Sequence, residues 1–183
     1  MFLLRKIYCR TFQTVFRIAI PFLPYRNPKI IPAVSGITDV CRKYGVESVM
    51  IVTDAGIRAL GLTDFLEKTL KEEGISYCVY DRTVANPTIQ NVEEARKMYL
   101  EHEAQGIIAF GGGSSMDCAK AAGARIVKPR QSIRQMRGLL KVHRRLPLLI
   151  AVPTTAGTGS ETTLAAVITD SEKHYKYPIN DFS

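Results

Sequence analysis

Short apolar runs alternate with longer segments of mixed polarity along most of this chain. The apolar runs are rich in β-branched side chains, which is typical of buried strands, and the segments between them favour helices. The predicted strands are 46–53, 75–80, 106–110, 148–152 and 165–169, with antiparallel pairing an open alternative for the last, and the predicted helices are 55–73, 91–103 and 115–127. This alternation predicts an α/β fold in which a parallel sheet carries helices on both faces.

Residues that favour helix ends support two of these helices. Gly74 follows the first predicted helix, in the position that glycine commonly takes after a helix C-terminus. Asn91 is predicted to cap the second helix, with Glu94 three residues further on as in a capping box.

Three consecutive glycines, Gly111 to Gly113, separate a predicted strand from a predicted helix. Glycine has no Cβ and tolerates positive φ, so a ligand can approach the backbone of such a turn closely. The following helix start offers unpaired N–H groups and a positive dipole end, a combination that suits a diphosphate. The spacing departs from the GxGxxG fingerprint because Met116 stands at the third glycine position, and a simple strand-to-helix turn stays an open alternative.

A second polar segment, residues 153–163, follows the apolar run that ends at Val152. It contains five threonines and one serine, and each hydroxyl can both donate and accept a hydrogen bond. Gly157 and Gly159 let its backbone come close to a ligand. A polar loop of serine and threonine turns is the alternative interpretation.

Together these two segments resemble the iron-containing (group III) alcohol dehydrogenase family in residue order and spacing. Three shorter matches add to the resemblance, namely Val52-Thr53-Asp54, Asn86-Pro87-Thr88 and Ile168-Thr169-Asp170. The similarity covers about residues 30 to 181. It implies a Rossmann-like, dehydroquinate synthase-like dinucleotide-binding domain at residues 29–183. The charge and polarity pattern of the preceding residues indicates a basic amphipathic extension at residues 1–28.

The resemblance implies NAD as the cofactor and assigns residues to it. Gly112, Gly113 and Ser114 would hold the pyrophosphate, and four threonines would line the groove near the ribose and nicotinamide. The full set of implied cofactor-binding residues is Asp54, Asn86, Gly112, Gly113, Ser114, Thr154, Thr155, Thr158, Thr163 and Lys176.

Several of these residues carry an expectation of their own. A carboxylate that closes a strand, as Asp54 does, can accept bonds from the adenosine ribose and repel a 2′-phosphate, which favours NAD over NADP. Capping the next helix is the alternative for Asp54, and both roles can coexist. Asn86 precedes Pro87, so its backbone is predicted to be extended. For Lys176 the alternative is a solvated surface lysine, and Asp117 is predicted to cap its helix rather than to face the nicotinamide pocket.

Members of the resembled family bind Fe²⁺, or sometimes Zn²⁺, through one Asp and three His on a helical second domain. The three histidines of this chain, His102, His143 and His174, lack the i, i+4 spacing of a paired ligand site. We therefore expect the helical metal-binding domain and the metal ligands to be absent from this chain, and we assign it no catalytic residue. The resemblance implies an oxidoreductase that transfers hydride between a small alcohol and NAD, with this chain as the cofactor-binding part and a homo-oligomer as the full-length form.

The net charge is +8, and it is unevenly distributed. Nine basic residues and no acidic one lie between Asp117 and Glu161. A solvated face beside an anionic cofactor is favoured over nucleic-acid or membrane binding, because aromatic residues do not interleave these charges. The charge leaves one alternative function, a basic protein that binds membrane or RNA without catalysis. The resemblance leaves another, a different enzyme with the glycerol dehydrogenase and dehydroquinate synthase type of fold.

The first 25 residues contain no acidic residue and form an amphipathic pattern. Lys6, Arg10 and Arg17 fall on one side of a helical wheel, and apolar residues fall on the other. Residues 2–23 are therefore predicted either to contact a membrane surface or to pack on the fold or a partner subunit. Pro21, Pro24, Pro28 and Pro32 are then predicted to form an extended linker.

The four cysteines are widely spaced, with no CxxC pair. This spacing argues against a disulfide framework and favours the reducing cytoplasm. Cys118 lies at a predicted helix start, where a thiol pKa can fall, but a packing role is favoured.

Overall fold

The computed structural model describes residues 2–19 and 28–182. Pro21 and Pro24 of the predicted linker and residues 20–23 of the predicted amphipathic segment lie outside these described residues. The helices are α1 (Phe2–Ala19), α2 (Ile37–Lys43), α3 (Ala55–Ala59), α4 (Asp64–Glu72), α5 (Ile89–Glu101) and α6 (Gly113–Val127). The strands are β1 (Ser48–Val52), β2 (Ser76–Tyr80), β3 (Gly106–Gly111), β4 (Gly138–Leu139), β5 (Leu148–Pro153), β6 (Ala165–Asp170) and β7 (Tyr175–Asn180).

Four strands form a parallel sheet in the order β2-β1-β3-β5. In this register Val52 lies opposite both Tyr80 and Ala109, and Gly111 lies opposite Pro153. The chain runs from β1 outward to β2 and then returns to the other side of β1, so the order reverses between β1 and β3. In open α/β sheets ligands bind at the carboxyl ends of strands beside such a reversal.

Each face of this sheet is covered by helices, as predicted. On one face Leu66 and Leu70 of α4 share a buried cluster with Ile51 and Ile108. On the other face residues of α5 and α6 cluster with Met50 and other inward-facing residues of the strands. Successive residues of β1 thus belong to opposite clusters, as the two-residue period of a strand requires. The predicted α/β class with a parallel sheet is confirmed.

A smaller three-stranded sheet, in the order β4-β7-β6, packs beside α6. β6 and β7 pair in an antiparallel hairpin, with Asp170 opposite Tyr175, so the antiparallel alternative for residues 165–169 is correct. Arg134 donates to both carboxylate oxygens of the buried Asp170 and holds the pKa of that carboxyl at about 2. The hairpin is thereby tied to the 3-10 turn Ile133–Met136.

The predicted helix at 55–73 is wrong as one element. It is broken into α3 and α4, because Gly61 adopts a left-handed φ of 65° just beyond the end of α3.

The predicted cap of the next helix is also wrong. Helix α5 begins at Ile89 and is capped by the Thr88 hydroxyl, which accepts from the Asn91 N–H at 3.1 Å. The Asn91 side chain completes this capping box from inside the helix. Glu94 instead accepts a bond from the Tyr80 hydroxyl.

Helix α1 exposes large apolar side chains to solvent. Ile7, Val15 and Ile18 are 54%, 60% and 64% exposed. No helix among residues 2–19 and 28–182 is long and apolar enough to cross a membrane.

Candidate functional site

The carboxyl ends of β1, β3 and β5 meet at one edge of the parallel sheet. Asp54 follows β1, Gly112 follows β3 and Thr154 follows β5. The Thr154 N–H donates to the Gly111 carbonyl at 2.9 Å, which continues the strand pairing to the very end of β3. Residues that the sequence separates by a hundred positions are therefore neighbours at the point where the strand order reverses.

The first glycine of the glycine turn is required for a local reason. Gly111 has a φ of 148°, and a Cβ at this position would lie 2.5 Å from the Ser115 Oγ. Gly112 is the N-cap of α6 and offers no side-chain cap. The first N–H groups of a helix have no intrahelical partner, so those of α6 stay available to an anion. The buried Ser115 hydroxyl has no hydrogen-bond partner among the described residues and lies in the same turn.

The threonine-rich loop, residues 154–164, lies directly against this turn. A Cβ on Gly112 would come within 3.0 Å of the Thr155 Oγ1, and a Cβ on Gly113 within 3.0 Å of the Ser160 Oγ. Side chains at these two glycines would push the loop away. The glycine turn and the hydroxyl-rich loop, which the sequence places in separate motifs, therefore lie in contact at this edge of the sheet.

The two carboxylate oxygens of Asp54 lie in different environments. Oδ1 accepts from the Ile57 N–H at 3.0 Å and caps α3, so the alternative of a helix N-cap is correct. Oδ2 lies 3.6 Å from where a Cβ of Gly111 would stand. One oxygen thus fixes the side chain while the other faces the glycine turn.

The predicted extended backbone at Asn86 is wrong. Its φ is 59°, which is the left-handed region that asparagine tolerates better than most residues. Two hydrogen bonds fix this conformation, because the Asn86 N–H donates to the Ser114 Oγ at 3.2 Å and its carbonyl accepts from the Thr169 Oγ1 at 3.2 Å. Asn86 therefore connects the start of α6 to the β6–β7 hairpin.

Asp117 does not cap α6, contrary to the prediction, because Gly112 takes that position. Its carboxylate instead accepts from the Val167 N–H at 3.1 Å, on the edge of β6 that β7 does not cover. Burial raises the pKa of Asp117. Two residues further along β6, the Thr169 N–H donates to the Pro87 carbonyl at 2.8 Å.

Lys120, one of the nine basic residues predicted to form a solvated face, instead contacts the threonine-rich loop. Its ammonium group, half-buried beside α6, donates to acceptors of the threonine-rich loop, including the Thr163 carbonyl at 2.9 Å. The signal for it was available, since Lys120 interrupts a run of small residues that are all buried, from Cys118 to Ala122. Several other cations of the basic segment are paired rather than simply solvated, as Arg125 is with Glu93 at 2.6 Å.

Lys176 lies on β7 directly opposite Thr169, and its side chain is exposed. Thr169 in turn donates to the Asn86 carbonyl, so Lys176 lies on the strand pair that contacts Asn86. Thr158 lies in the threonine-rich loop within 3.8 Å of a Cβ position on Gly113.

The described residues do not fit a catalytic metal. Among residues 2–19 and 28–182, no group of three or more His, Cys, Asp or Glu is arranged to hold an ion. His102 ends α5, His143 follows β4, and His174 lies in the turn between β6 and β7. Cys118 is fully buried, and burial raises its pKa to about 12, as the packing interpretation requires.

The family model for the iron-containing alcohol dehydrogenases matches residues 32–183. The chain belongs to the iron-containing alcohol dehydrogenase family, as its motifs indicated. It is 39% identical over 135 residues to the choline dehydrogenase of Bacillus subtilis, covering 73% of this chain and 34% of that protein. It is 33% identical over 149 residues to the NAD-dependent methanol dehydrogenase of Bacillus methanolicus, covering 81% of this chain and 39% of that protein.

A solved structure gives the same result for the fold. The alcohol dehydrogenase from Oenococcus oeni superposes with a TM-score of 0.77 at 36% identity, covering 81% of this chain and 39% of that one. The chain thus spans between a third and two-fifths of the length of these relatives.

Proposed function

We propose that this chain is the cofactor-binding part of an NAD-dependent, metal-containing alcohol dehydrogenase, which interconverts an alcohol and an aldehyde or ketone by hydride transfer. The observation that carries the proposal is the uncapped start of α6, which lies at the reversal of strand order and is bordered by a loop of hydroxyl groups. Such a helix start binds a pyrophosphate through backbone N–H groups. Membership of the family and the similarity to the NAD-dependent methanol dehydrogenase of Bacillus methanolicus support NAD as the dinucleotide.

Each predicted residue has a role in this proposal. The N–H groups that follow Gly112 bind the pyrophosphate, together with Gly113 and Ser114. Asp54 accepts from the adenosine ribose through Oδ2, the oxygen that its capping bond leaves free to turn toward the ligand. The remaining groove residues, which contact the ribose and nicotinamide portions, are Asn86, Thr154, Thr155, Thr158, Thr163 and Lys176.

When bound, NAD would accept a hydride from an alcohol and NADH would return one to an aldehyde or ketone, and this chain would hold the cofactor in place for that transfer. We assign residues 29–183 to the dinucleotide-binding domain and residues 1–28 to an extension. Fe²⁺ or Zn²⁺ and its ligands belong to a helical domain outside this chain. We also propose that the full-length protein is a cytoplasmic homo-oligomer that does not bind nucleic acid. The four free cysteines support the cytoplasmic location, and the pairing of Arg125 and Arg134 with carboxylates supports the absence of nucleic-acid binding.

The proposal predicts NADH binding without turnover. We expect the 183-residue chain to quench or shift NADH fluorescence saturably, with NAD as a competitor. With a short alcohol, NAD and added Fe²⁺ or Zn²⁺, we expect no formation of NADH, because the described residues hold no metal cluster. Failure to bind NADH would refute the proposed function, and chelator-sensitive turnover would refute the assignment of the metal site to another domain.

A second, separate candidate function concerns α1, which we propose lies on the surface of anionic membranes. Its support is the combination of exposed apolar side chains with Lys6, Arg10 and Arg17 on the opposite side and no acidic residue before Asp39. A helix of this kind binds in the interface through its apolar side and is attracted to anionic lipid by its cations.

We expect the chain to co-sediment with vesicles that contain phosphatidylserine and much less with pure phosphatidylcholine. The double variant Arg10→Glu/Arg17→Glu should lose this binding. The control Lys68→Glu/Lys97→Glu changes the net charge equally on exposed faces of α4 and α5 and should retain it. Equal loss in both variants, or equal binding to both vesicles, would contradict a specific role for α1.

A further inference from the structure

We infer that Lys120 is a positioning residue of the cofactor groove, because its ammonium group anchors the threonine-rich loop to α6 beside the glycine turn. The inference rests on the proposed cofactor function and adds to it a residue that contacts no part of the expected ligand. Lys120 acts by fixing the position of the threonine-rich loop.

The Lys120 Nζ donates hydrogen bonds to three residues of the loop region. It donates to the carbonyl oxygens of Thr163 at 2.9 Å, Ala165 at 3.0 Å and Ser160 at 2.5 Å. The Thr163 hydroxyl lies at 3.1 Å as a fourth acceptor. A lysine ammonium has three protons, so this set satisfies every one of them.

Ser160 connects the anchor to the groove. Its carbonyl accepts from Lys120, while its hydroxyl lies 3.0 Å from the Cβ position of Gly113 in the glycine turn. The loop is thus held on one side by a charged donor and touches the uncapped start of α6 on the other. A displacement of Ser160 away from α6 would move the loop hydroxyls that we propose for the ribose and nicotinamide portions of NAD.

The loop has no regular secondary structure of its own that would hold it there. Residues 154–164 form turns and bends, so their carbonyl groups find few partners in a helix or a sheet. The Lys120 ammonium group donates to several of these carbonyls and so provides hydrogen bonds that a helix or sheet would otherwise supply. Hydrogen bonds from a charged donor are stronger than those from a neutral one. Burial lowers the pKa of Lys120, and the nearby carboxylates of Asp117 and Glu161 oppose that effect.

Asp117 acts one turn earlier on the same face of α6. Its carboxylate accepts a hydrogen bond from the Val167 N–H, just beyond the loop. Side chains of α6 therefore bind the chain on both sides of residue 165. The same helix therefore presents its N-terminus to the cofactor and fixes the segment that borders it.

The test compares three substitutions by their affinity for NADH and for AMP. Lys120→Met removes all donors at nearly the same length, Lys120→Arg keeps the charge, and Lys97→Met makes the same change at an exposed lysine of α5. AMP carries the adenosine end, which the proposal places at Asp54, and lacks the nicotinamide half that the loop borders.

We expect Lys120→Met to weaken NADH binding by about tenfold, because the loop must then be ordered on binding. Its affinity for AMP should stay within about twofold of the wild type, and its loop amides at 154–165 should exchange with deuterium faster. Lys120→Arg should bind NADH more tightly than Lys120→Met does, and Lys97→Met should match the wild type.

The outcomes separate this inference from the function on which it rests. A wild type that binds NADH, together with a folded Lys120→Met that binds it equally well, would overturn the inference alone. An equal loss of NADH and AMP affinity would also overturn it, since that pattern indicates general damage to the fold. A wild type that does not bind NADH would overturn both. If Lys120→Met does not fold, Lys120→Gln, which keeps two N–H donors without the charge, is judged by the same criteria.

Discussion

Replacing Gly112 by valine is expected to weaken NADH binding by roughly 100-fold, a loss of about 2.7 kcal/mol. A Cβ at Gly112 would already lie 3.0 Å from the Thr155 Oγ1, and the two γ-methyl groups of valine would extend further into the groove. They would occupy the space where the backbone N–H groups of the α6 start must reach the pyrophosphate. Fluorescence titration with NADH measures the change.

The matched control for this prediction is Gly123→Ala, in the same helix. A Cβ there would lie 3.4 Å from Leu146, an ordinary contact with a flexible side chain, and alanine favours a helix interior. We expect this variant to bind NADH as the wild type does. Equal affinities for the wild type and a folded Gly112→Val would show that no cofactor lies over the glycine turn.

Removing the charge of Asp54 is expected to raise the ratio of NADP to NAD affinity by about tenfold. The carboxylate oxygen that faces the glycine turn would repel a 2′-phosphate on the adenosine ribose, and a repulsion of this kind is worth ~1–3 kcal/mol in a partly buried site. Competition of NADP and NAD against NADH fluorescence gives the ratio.

Two substitutions at Asp54 separate its charge from its capping bond. Asp54→Asn keeps an acceptor for the Ile57 N–H, whereas Asp54→Gly removes it, at a stability cost of only a few tenths of a kcal/mol. Both should change the affinity ratio, and the exposed Asp64→Asn should not. An unchanged ratio in both Asp54 variants would leave this residue as the cap of α3 and no more.

The sequence predicted those parts of the molecule whose cause is local. The strand, turn and helix around Gly112 follow from an apolar run, consecutive glycines and a run of small helix-forming residues, all within a few positions. The alternation of strands and helices likewise predicted the parallel sheet, because a crossover helix between successive strands leaves few other topologies. The break at Gly61 was missed although its signal was also local. In the sequence alone, a glycine that ends a helix looks the same as a glycine that a helix tolerates in its interior.

Features with distant causes were not predictable in this way. The left-handed backbone of Asn86 depends on Thr169, which is 83 residues away, and this contact prevails over the local preference of a residue before proline. The role of Lys120 depends on carbonyl groups some 40 to 45 residues further on. Strand β7 was not predicted because Pro178 argues against a strand, and only the pairing with β6 shows that it is tolerated there.

The attachment of β6 to α6 also determines when during synthesis the groove can take shape. Asp117 lies 50 residues before Val167, so the start of α6 leaves the ribosome well before the segment that it must hold. Contacts between such distant residues form late, because closing a long loop costs chain entropy before any contact offsets it. In a nascent chain that has passed β5 but has not reached Ser160, the parallel sheet already has its four strands, whereas Asp117 still lacks its Val167 donor and Lys120 still lacks its carbonyl acceptors. Slow translation between β5 and β6 would therefore prolong a state in which these two charged groups of α6 face water.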